Sequence, residues 1–282
     1  MHIAKYITYF LLGVVLSTGF IHAPVLLAAD GGGTTKAEPA PAQSGTMYLP
    51  SDDPMAELAA KLNTAKENNK RLLVVMGGNW CHDSRALASR LYEEPLGTTI
   101  EAHYETLFVD VGYLQKGKEV ITSLGIPVYY ATPTVLIVNP DTGRVINAHN
   151  RHQWGDAATI SMADSLEYFR QFADIDLSAS QNETVVDAQL QELLTEIDVF
   201  EQEQADRLYR AYAVLAPMLR AYKEGDRGAF SDELWNEVRD FRYKVPVDLD
   251  ALRAQARAGV AAGETDVKLN YPVYPAFSWD PS

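Results

Sequence analysis

The sequence has very little cysteine: one residue, Cys81, among 282. A single thiol cannot close an internal disulfide, so no covalent cross-link within the chain holds this fold together. In an oxidising compartment a free thiol is a liability unless it is buried or used. The surroundings of Cys81 are therefore the most informative part of the sequence.

Basic residues are also few, since 24 Lys and Arg stand against 38 Asp and Glu, for a formal net charge of −14. Such a chain has no large basic surface with which to neutralise phosphates, so we expect no nucleic-acid partner. A phosphate-binding glycine loop, a nucleophile elbow and a metalloprotease helix are absent as well. Apolar residues make up 47% of the chain, which is enough for a globular core.

The N-terminus has the layout of a secretory signal peptide over residues 1–29. Lys5 precedes an apolar run over 6–20, and two alanines end the segment. This predicts a secreted or periplasmic protein. Leu27 fits the small-residue rule at the cleavage site poorly, so an uncleaved membrane anchor stays open as the alternative. Only in that case do we expect contact with a membrane.

Composition divides the remaining chain into three parts. Residues 30–50 are rich in Gly, Pro, Ala and Thr and predict a flexible linker. Residues 51–176 alternate helix and strand patterns, which predicts an α/β domain with a mixed central sheet flanked by helices. Residues 177–282 predict a helical C-terminal extension that ends in a tail rich in proline and aromatic residues.

The individual elements follow from hydrophobic spacing and from turn residues. In the extension we expect one long helical stretch over 183–222 and two shorter helices over 231–243 and 248–262. The predicted elements of the α/β domain, in order, are a helix over 53–70, a strand over 71–78, a helix over 83–94, a strand over 105–113, a helix over 118–126, a hairpin over 133–149 and a helix over 157–173.

Cys81 stands where the strand over 71–78 runs into the next helix. The free N–H groups of a first helical turn carry about half a positive charge, which favours thiolate over thiol. A protonated His82 would add to this effect, whereas the carboxylate of Asp83 would oppose it. The hairpin is expected to return its second strand to the same edge, which brings His149, Arg151 or His152 near the sulfur.

Two motifs carry a resemblance to a known family. The segment Trp80-Cys81-His82-Asp83-Ser84, at the end of an apolar strand, resembles the Trp-Cys-x-x-Cys active-site segment of thioredoxin-like proteins, with serine in place of the second cysteine. Thr132-Pro133-Thr134 opens a strand about fifty residues later, where that family carries a cis proline. The resemblance covers roughly residues 52–175 and does not include the helical extension.

The resemblance implies roles for particular residues. Cys81 corresponds to the nucleophilic thiol, Pro133 to the cis proline and Trp80 to the tryptophan before the thiol. A cis bond at Pro133 would leave the main chain of Thr132 free to pair with a substrate. We therefore take the catalytic candidates to be Cys81, Ser84, His82 and Pro133, and the substrate-binding candidates to be Trp80, Thr132, Tyr130 and His152.

Departures from the family pattern restrict the chemistry. Ser84 cannot act as a resolving thiol, although its hydroxyl is expected to contact the sulfur of Cys81. Val75 stands where many thioredoxins have a buried aspartate. The segment before Pro133 is longer than usual, so that Tyr129 and Tyr130 are expected to cover part of the site.

Three functions are compatible with these residues. The leading hypothesis is thiol-disulfide exchange through Cys81, with protein or small-molecule thiols and disulfides as partners and no cofactor. The second is a non-catalytic module that binds an extended peptide beside the cis proline and docks a protein partner on the C-terminal helices. The third and weakest is a metal site made by Cys81, His82 and either His149 or His152, and we assign no metal ligands on that basis.

Overall fold

The computed structural model describes residues 46–176 and 187–280. The predicted signal peptide and most of the predicted linker lie outside the described residues. Among the helices that the structure describes, none combines the length and the apolar character that crossing a membrane requires.

The elements follow the sequence prediction in order, with a few differences. The strands are β1 (Arg71–Gly77), β2 (Tyr104–Asp110) and β3 (Thr134–Val138). The α-helices are α1 (Pro54–Glu67), α2 (His82–Arg90), α3 (Leu96–His103), α4 (Lys118–Ser123), α5 (Met162–Ala173), α6 (Ala188–Lys223) and α7 (Asp232–Ala261). Short 3₁₀ helices lie at Gln153–Asp156 and Arg227–Ala229.

Strand β1 is the centre of the sheet, with β2 parallel on one side and β3 antiparallel on the other. Successive side chains of a strand point to opposite faces, and every residue of β1 is buried. Leu72 and Val74 face one hydrophobic cluster, whereas Leu73 and Val75 face another. Helices cover both faces, which explains why β1 reads as a continuous apolar run and confirms the predicted mixed sheet flanked by helices.

The predicted return strand after the turn at 139–143 is wrong. The chain pairs with β3 at one bridge, Val145 to Val138, and forms no further strand there. It keeps two separate backbone hydrogen bonds to β3, from Ile146 N–H to the carbonyl of Ile137 and from Val135 N–H to the carbonyl of Arg151. The side chain of Asn147 takes over at this edge: its Oδ1 accepts from the N–H of Ile137 at 2.7 Å and its Nδ2 donates to the carbonyl of Val135 at 2.8 Å. One buried amide thus satisfies backbone groups that a further strand would have paired.

Two helices differ from the sequence prediction. Helix α3 was not predicted, because Thr98 and Thr99 weaken its helix signal, and it is held by the burial of Leu96 and Ile100 against the second cluster. Helix α7 is continuous where two segments were predicted. Pro246 lies inside it and is buried, so that packing compensates for the hydrogen bond that proline cannot donate.

Tyr48 lies within the predicted linker and yet is only 1% exposed. Its ring meets the ring of Phe108 edge to face, with centroids 5.4 Å apart, and its hydroxyl donates to the carbonyl of Ser84 at 3.2 Å. The packed chain therefore includes residues before the predicted boundary at 51. A single aromatic residue in a Gly- and Pro-rich segment has no periodicity, so the sequence pattern gave no sign of its burial.

The helical extension packs on the same hydrophobic cluster as Leu72 and Val74. Buried side chains of α6 and α7 belong to that cluster, among them Leu208, Tyr212 and Val245. The tail beyond α7 has no regular secondary structure over 265–277, and Phe277 is buried against Phe241 of α7. The extension and the α/β part therefore share one core on this side of the sheet.

A buried ion-pair network also joins the extension to the α/β part. Glu201 of α6 accepts from Arg151 at 2.8 Å through Oε1 and from Arg253 of α7 at 2.6 Å through Oε2. Its Oε1 also accepts from the hydroxyl of Tyr130 at 3.4 Å. The charges of Glu201 and Arg151 are both removed from water, so each depends on the other for compensation.

Replacing Asn147 with alanine is expected to lower the free energy of unfolding by about 3 kcal/mol, because it leaves a buried N–H and a buried carbonyl of β3 without partners. Urea denaturation measures the change. Asn63→Ala, at an exposed position of α1, is the matched control and is expected to change stability by less than about 1 kcal/mol. Equal effects of the two substitutions would contradict the role given to Asn147.

Glu201→Gln is expected to cost about 3 kcal/mol of unfolding free energy, because it leaves the charge of Arg151 buried without a counter-charge. The control is Asp141→Asn, which removes the exposed Lys66–Asp141 pair and is expected to cost less than about 1 kcal/mol. The denaturation midpoints of both variants, measured at the same pH and compared with that of the unmodified protein, give the two losses of stability. A Glu201→Gln protein as stable as the control would show that the network does not hold the extension.

Candidate active site

Cys81 lies at the junction of β1 and α2, as the sequence predicts. A tight turn leads to it, in which its N–H donates to the carbonyl of Gly78 at 2.9 Å. The residue occupies the cap position before the first turn of α2, and its side chain makes no cap hydrogen bond with that helix. The thiol is partly exposed. It is therefore held by the backbone at the helix start while its sulfur is free to turn elsewhere.

The sulfur of Cys81 turns toward the segment before β3. The Thr132–Pro133 peptide bond is cis. The thiol donates a hydrogen bond to the carbonyl of Thr132, with Sγ and O 3.1 Å apart, and the hydroxyl Oγ1 of Thr132 lies 3.7 Å from Sγ. Thr132 thus offers the sulfur an acceptor when it is a thiol and a donor when it is a thiolate. The structure thus brings Cys81 together with Thr132 and the cis proline, Pro133.

Trp80 forms one wall of the site. Its indole Nε1 donates to the carbonyl of Gly112 at 2.6 Å, and its ring stacks on Tyr113 with centroids 6.3 Å apart. A hydrogen bond and a stacked neighbour fix the orientation of this ring. The predicted substrate-binding position of Trp80 is therefore a rigid surface beside the thiol.

A cavity of about 120 Å³ opens next to Cys81, between the α/β part and helix α7. Trp80, Tyr130 and Thr132 line it on the α/β side. The opposite wall comes from α7, with the side chains Trp235, Arg239, Arg242 and Tyr243. The helical extension therefore contributes directly to the surroundings of the thiol.

The extension also binds the backbone just before the cis proline. The hydroxyl of Tyr212 donates to the carbonyl of Tyr129 at 2.7 Å, and Nε of Arg242 donates to the carbonyl of Tyr130 at 2.7 Å. Burial raises the pKa of Tyr212 to about 12, so this donor keeps its proton near neutral pH. Burial likewise raises the pKa of Tyr130 well above its usual value. Both tyrosines at 129 and 130 are buried against the extension, and only Tyr130 reaches the cavity.

Ser84 has a structural contact in place of the expected one with the sulfur. Its side chain is buried, and its Oγ accepts from the N–H of Gly78 at 3.4 Å. No hydrogen bond between Ser84 and Cys81 occurs within residues 46–176. The serine thus stabilises the turn between β1 and α2, because its hydroxyl oxygen accepts a hydrogen bond from the backbone of that turn.

The neighbours of Cys81 on α2 point in different directions. His82 is exposed. Asp83 lines the cavity, and its Oδ1 accepts from the N–H of Ala158 at 3.0 Å, which ties the start of α2 to the loop before α5. His82 is therefore placed in solvent at the helix start, away from the packed wall that Asp83 forms.

The histidines after β3 do not reach the thiol. Neither His149 nor His152 is among the described residues that line the cavity of Cys81. His149 and Arg151 line a different cleft, and His152 lies in the field of Arg151 and Glu201. Burial and then the positive charge of Arg151 lower the pKa of His152, so this imidazole is neutral near pH 7. The backbone does return to this edge of β3, since the carbonyl of Arg151 accepts from the N–H of Val135 at 3.2 Å, but the side chains of His149 and Arg151 line the other cleft.

Residues from α7 are the part of the site that sequence reasoning missed. Trp235 and Arg242 stand more than 150 positions after Cys81, in a helix whose spacing indicates only an amphipathic element. Their place at the site follows from tertiary packing, for which the sequence has no local signal. In the part of the chain that the structure describes, no three His, Cys, Asp or Glu side chains are grouped closely enough to hold a metal ion.

Comparisons with known proteins bear on the α/β part. Residues 53–140 match a family model described as thioredoxin-like. A solved structure described as a disulphide isomerase from Xylella fastidiosa Temecula1 is similar at 27% identity, over 46% of this chain and 99% of that one, with a TM-score of 0.43. A search of curated proteins found no match. Over residues 53–140, which hold the mixed sheet and the Cys81 junction, this chain is therefore similar to the thioredoxin-like family.

Proposed function

We propose that this protein takes part in thiol-disulfide exchange through Cys81. The observation that carries the proposal is the position of the sulfur, which is partly exposed at the start of α2 and 3.1 Å from the carbonyl of Thr132 beside the cis proline. A thiol used only for packing needs neither exposure nor a cavity. The match to a thioredoxin-like family over 53–140 supports the same class of chemistry.

The exchange has two steps, both with balanced atoms and electrons. The Cys81 thiol first loses its proton to solvent, and the thiolate attacks one sulfur of a substrate disulfide. A new S–S bond forms at Cys81 while the substrate S–S bond breaks, and the second substrate sulfur leaves as a thiolate. A thiolate from another molecule then attacks the mixed disulfide, which regenerates the Cys81 thiolate and leaves that molecule in a disulfide.

The second thiol must come from outside the chain, because Cys81 is the only cysteine in it. Ser84 cannot replace it, since a hydroxyl does not cleave a disulfide under these conditions and this one is bound to the Gly78 backbone. The proposal is therefore an isomerase or monothiol type of exchange. Protein or small-molecule thiols and disulfides are the partners that this chemistry takes.

Thr132 is the residue that we propose positions the sulfur. Its carbonyl accepts from the resting thiol, and its hydroxyl lies within reach of the thiolate that forms when the proton leaves. The helix start adds the partial positive charge of its free N–H groups. Trp80 and Tyr130 then present apolar surface to the group attached to the attacked sulfur.

A non-catalytic peptide-binding role has less support. The carbonyls of Tyr129 and Tyr130 already accept hydrogen bonds from α6 and α7, and α7 side chains line the other side of the cavity. An extended peptide that paired with the main chain of Thr132 would have to enter the space that these α7 side chains line. The small cavity agrees better with a substrate that presents one sulfur and a short segment around it.

Replacing Cys81 with serine is expected to reduce exchange to the uncatalysed background. The assay follows reduction of hydroxyethyl disulfide with reduced glutathione as the external thiol, and mass spectrometry of the intact chain detects the mixed disulfide. Ser89→Ala, at an exposed position of the same helix, is the control and is expected to keep the activity and the adduct. Turnover that persists in the Cys81→Ser protein would refute the proposal.

We also propose that the protein is exported, on the strength of the signal-peptide pattern in residues 1–29. When the protein is expressed in a bacterial host with this segment intact, we expect it in the soluble envelope fraction. Its measured mass is expected to equal that of a chain whose first residue is Asp30. An unprocessed chain in the membrane fraction would instead favour the anchor, and an unprocessed chain in the cytoplasm would contradict export altogether.

A further inference from the structure

A second and larger cleft, of about 610 Å³, lies between the α/β part and the extension on a different part of the surface. One side of it is apolar and comes from the α/β part, with Ile126, Pro127 and Val145. The other side is charged and includes residues of α6 and α7. Its volume is in the range of clefts that hold small organic molecules, and it has no lining residue in common with the Cys81 cavity.

The charged side of the cleft carries three arginines but only two carboxylates. Arg151, Arg253 and Arg257 line the cleft together with Asp198 and Glu201. Glu201 binds the first two arginines, and Asp198 binds Arg253 at 3.2 Å. Both carboxylates are thereby occupied. This leaves a positive excess in a protein whose formal net charge is −14.

Two side chains that line the cleft, one cationic and one ionisable, have no hydrogen-bond or ion-pair partner among the described residues. Arg257 of α7 and His149 both line the cleft, are exposed, and make no hydrogen bond or ion pair with any residue in 46–176 or 187–280. Isolated surface cations are common, but an arginine and a histidine that line the same cleft as an apolar wall form a defined arrangement. They offer donors to an anion that enters the cleft.

Arg151 supplies an independent observation. It is 7% exposed and lines the cleft, and its Nε is buried without a hydrogen-bond partner among the described residues. A buried donor without an acceptor is costly, and in folded proteins most buried donors have a partner in the protein or in ordered water. Arg151 therefore adds a buried positive charge to the wall of the cleft, although its Nε itself has no surface open to a ligand.

We propose that this cleft binds a small organic anion, with a carboxylate or phosphate group facing Arg257, His149 and Arg151 and an apolar portion against Ile126 and Pro127. The planar guanidinium groups of arginine match the paired oxygens of either anion. The site is separate from the thiol, and the proposal does not depend on the chemistry assigned to Cys81.

The test is calorimetric titration of the full chain with benzoate, phenyl phosphate and benzamide. Benzamide has the shape of benzoate without its charge, and the two anions distinguish carboxylate from phosphate as the preferred group. Arg257→Gln is expected to weaken binding of the preferred anion about tenfold, because a hydrogen bond to a charged group is lost. Arg210→Gln removes an exposed arginine of α6 outside the cleft and is expected to leave the affinity unchanged.

Three results would overturn the proposal. The first is the absence of binding by both anions at millimolar concentration. The second is equal weakening by Arg257→Gln and Arg210→Gln, which would indicate attraction by overall charge without a site. The third is binding of benzamide as tight as that of benzoate, which would show that the cleft does not select for charge.

Discussion

The backbone between Tyr129 and Thr132 is the constraint on which the rest of the structure depends. Its carbonyls accept from three separate parts of the chain: Tyr129 from α6, Tyr130 from α7 and Thr132 from the thiol of Cys81. A shift of this segment would move the acceptor of the sulfur and the anchors of the extension together. The thiol site and the helical extension are therefore coupled through a few consecutive residues, next to the Thr132–Pro133 bond.

In the proposed exchange, this coupling gives the extension a part in the chemistry. Helix α7 lies across the cavity from Trp80 and supplies a wall that includes Arg239 and Arg242. It narrows the approach to Cys81 and places positive charge near the position where a substrate would meet the sulfur. With one thiol in the chain, the proposed exchange also depends on a second molecule that can enter the same space. The narrow approach and the need for a second thiol together favour small thiol compounds as partners in the proposed exchange over thiols on the surface of a large folded protein.

The sequence predicts well what depends on neighbouring residues. The apolar run of β1, the cap position of Cys81 and the proline before β3 are local patterns, and the structure has each of them in the expected place. Features made by distant residues were missed. Asn147 replaces a strand with its side chain, Ser84 binds backbone where contact with sulfur was expected, and Arg242 reaches Tyr130 from the far end of the chain. No periodicity encodes such contacts, because they depend on how finished elements pack.

The proposed exchange requires that Cys81 is a reactive thiol in the folded protein. The direct measurement is the rate constant for reaction of Cys81 with a small aromatic disulfide at neutral pH, in the native protein and in guanidinium-unfolded chain. We expect the native thiol to react at least as fast as the unfolded one, because it is partly exposed at a helix start and has the hydroxyl of Thr132 3.7 Å from its sulfur. A native rate more than about tenfold slower than the unfolded rate would contradict it, since the thiol would then be shielded by its surroundings.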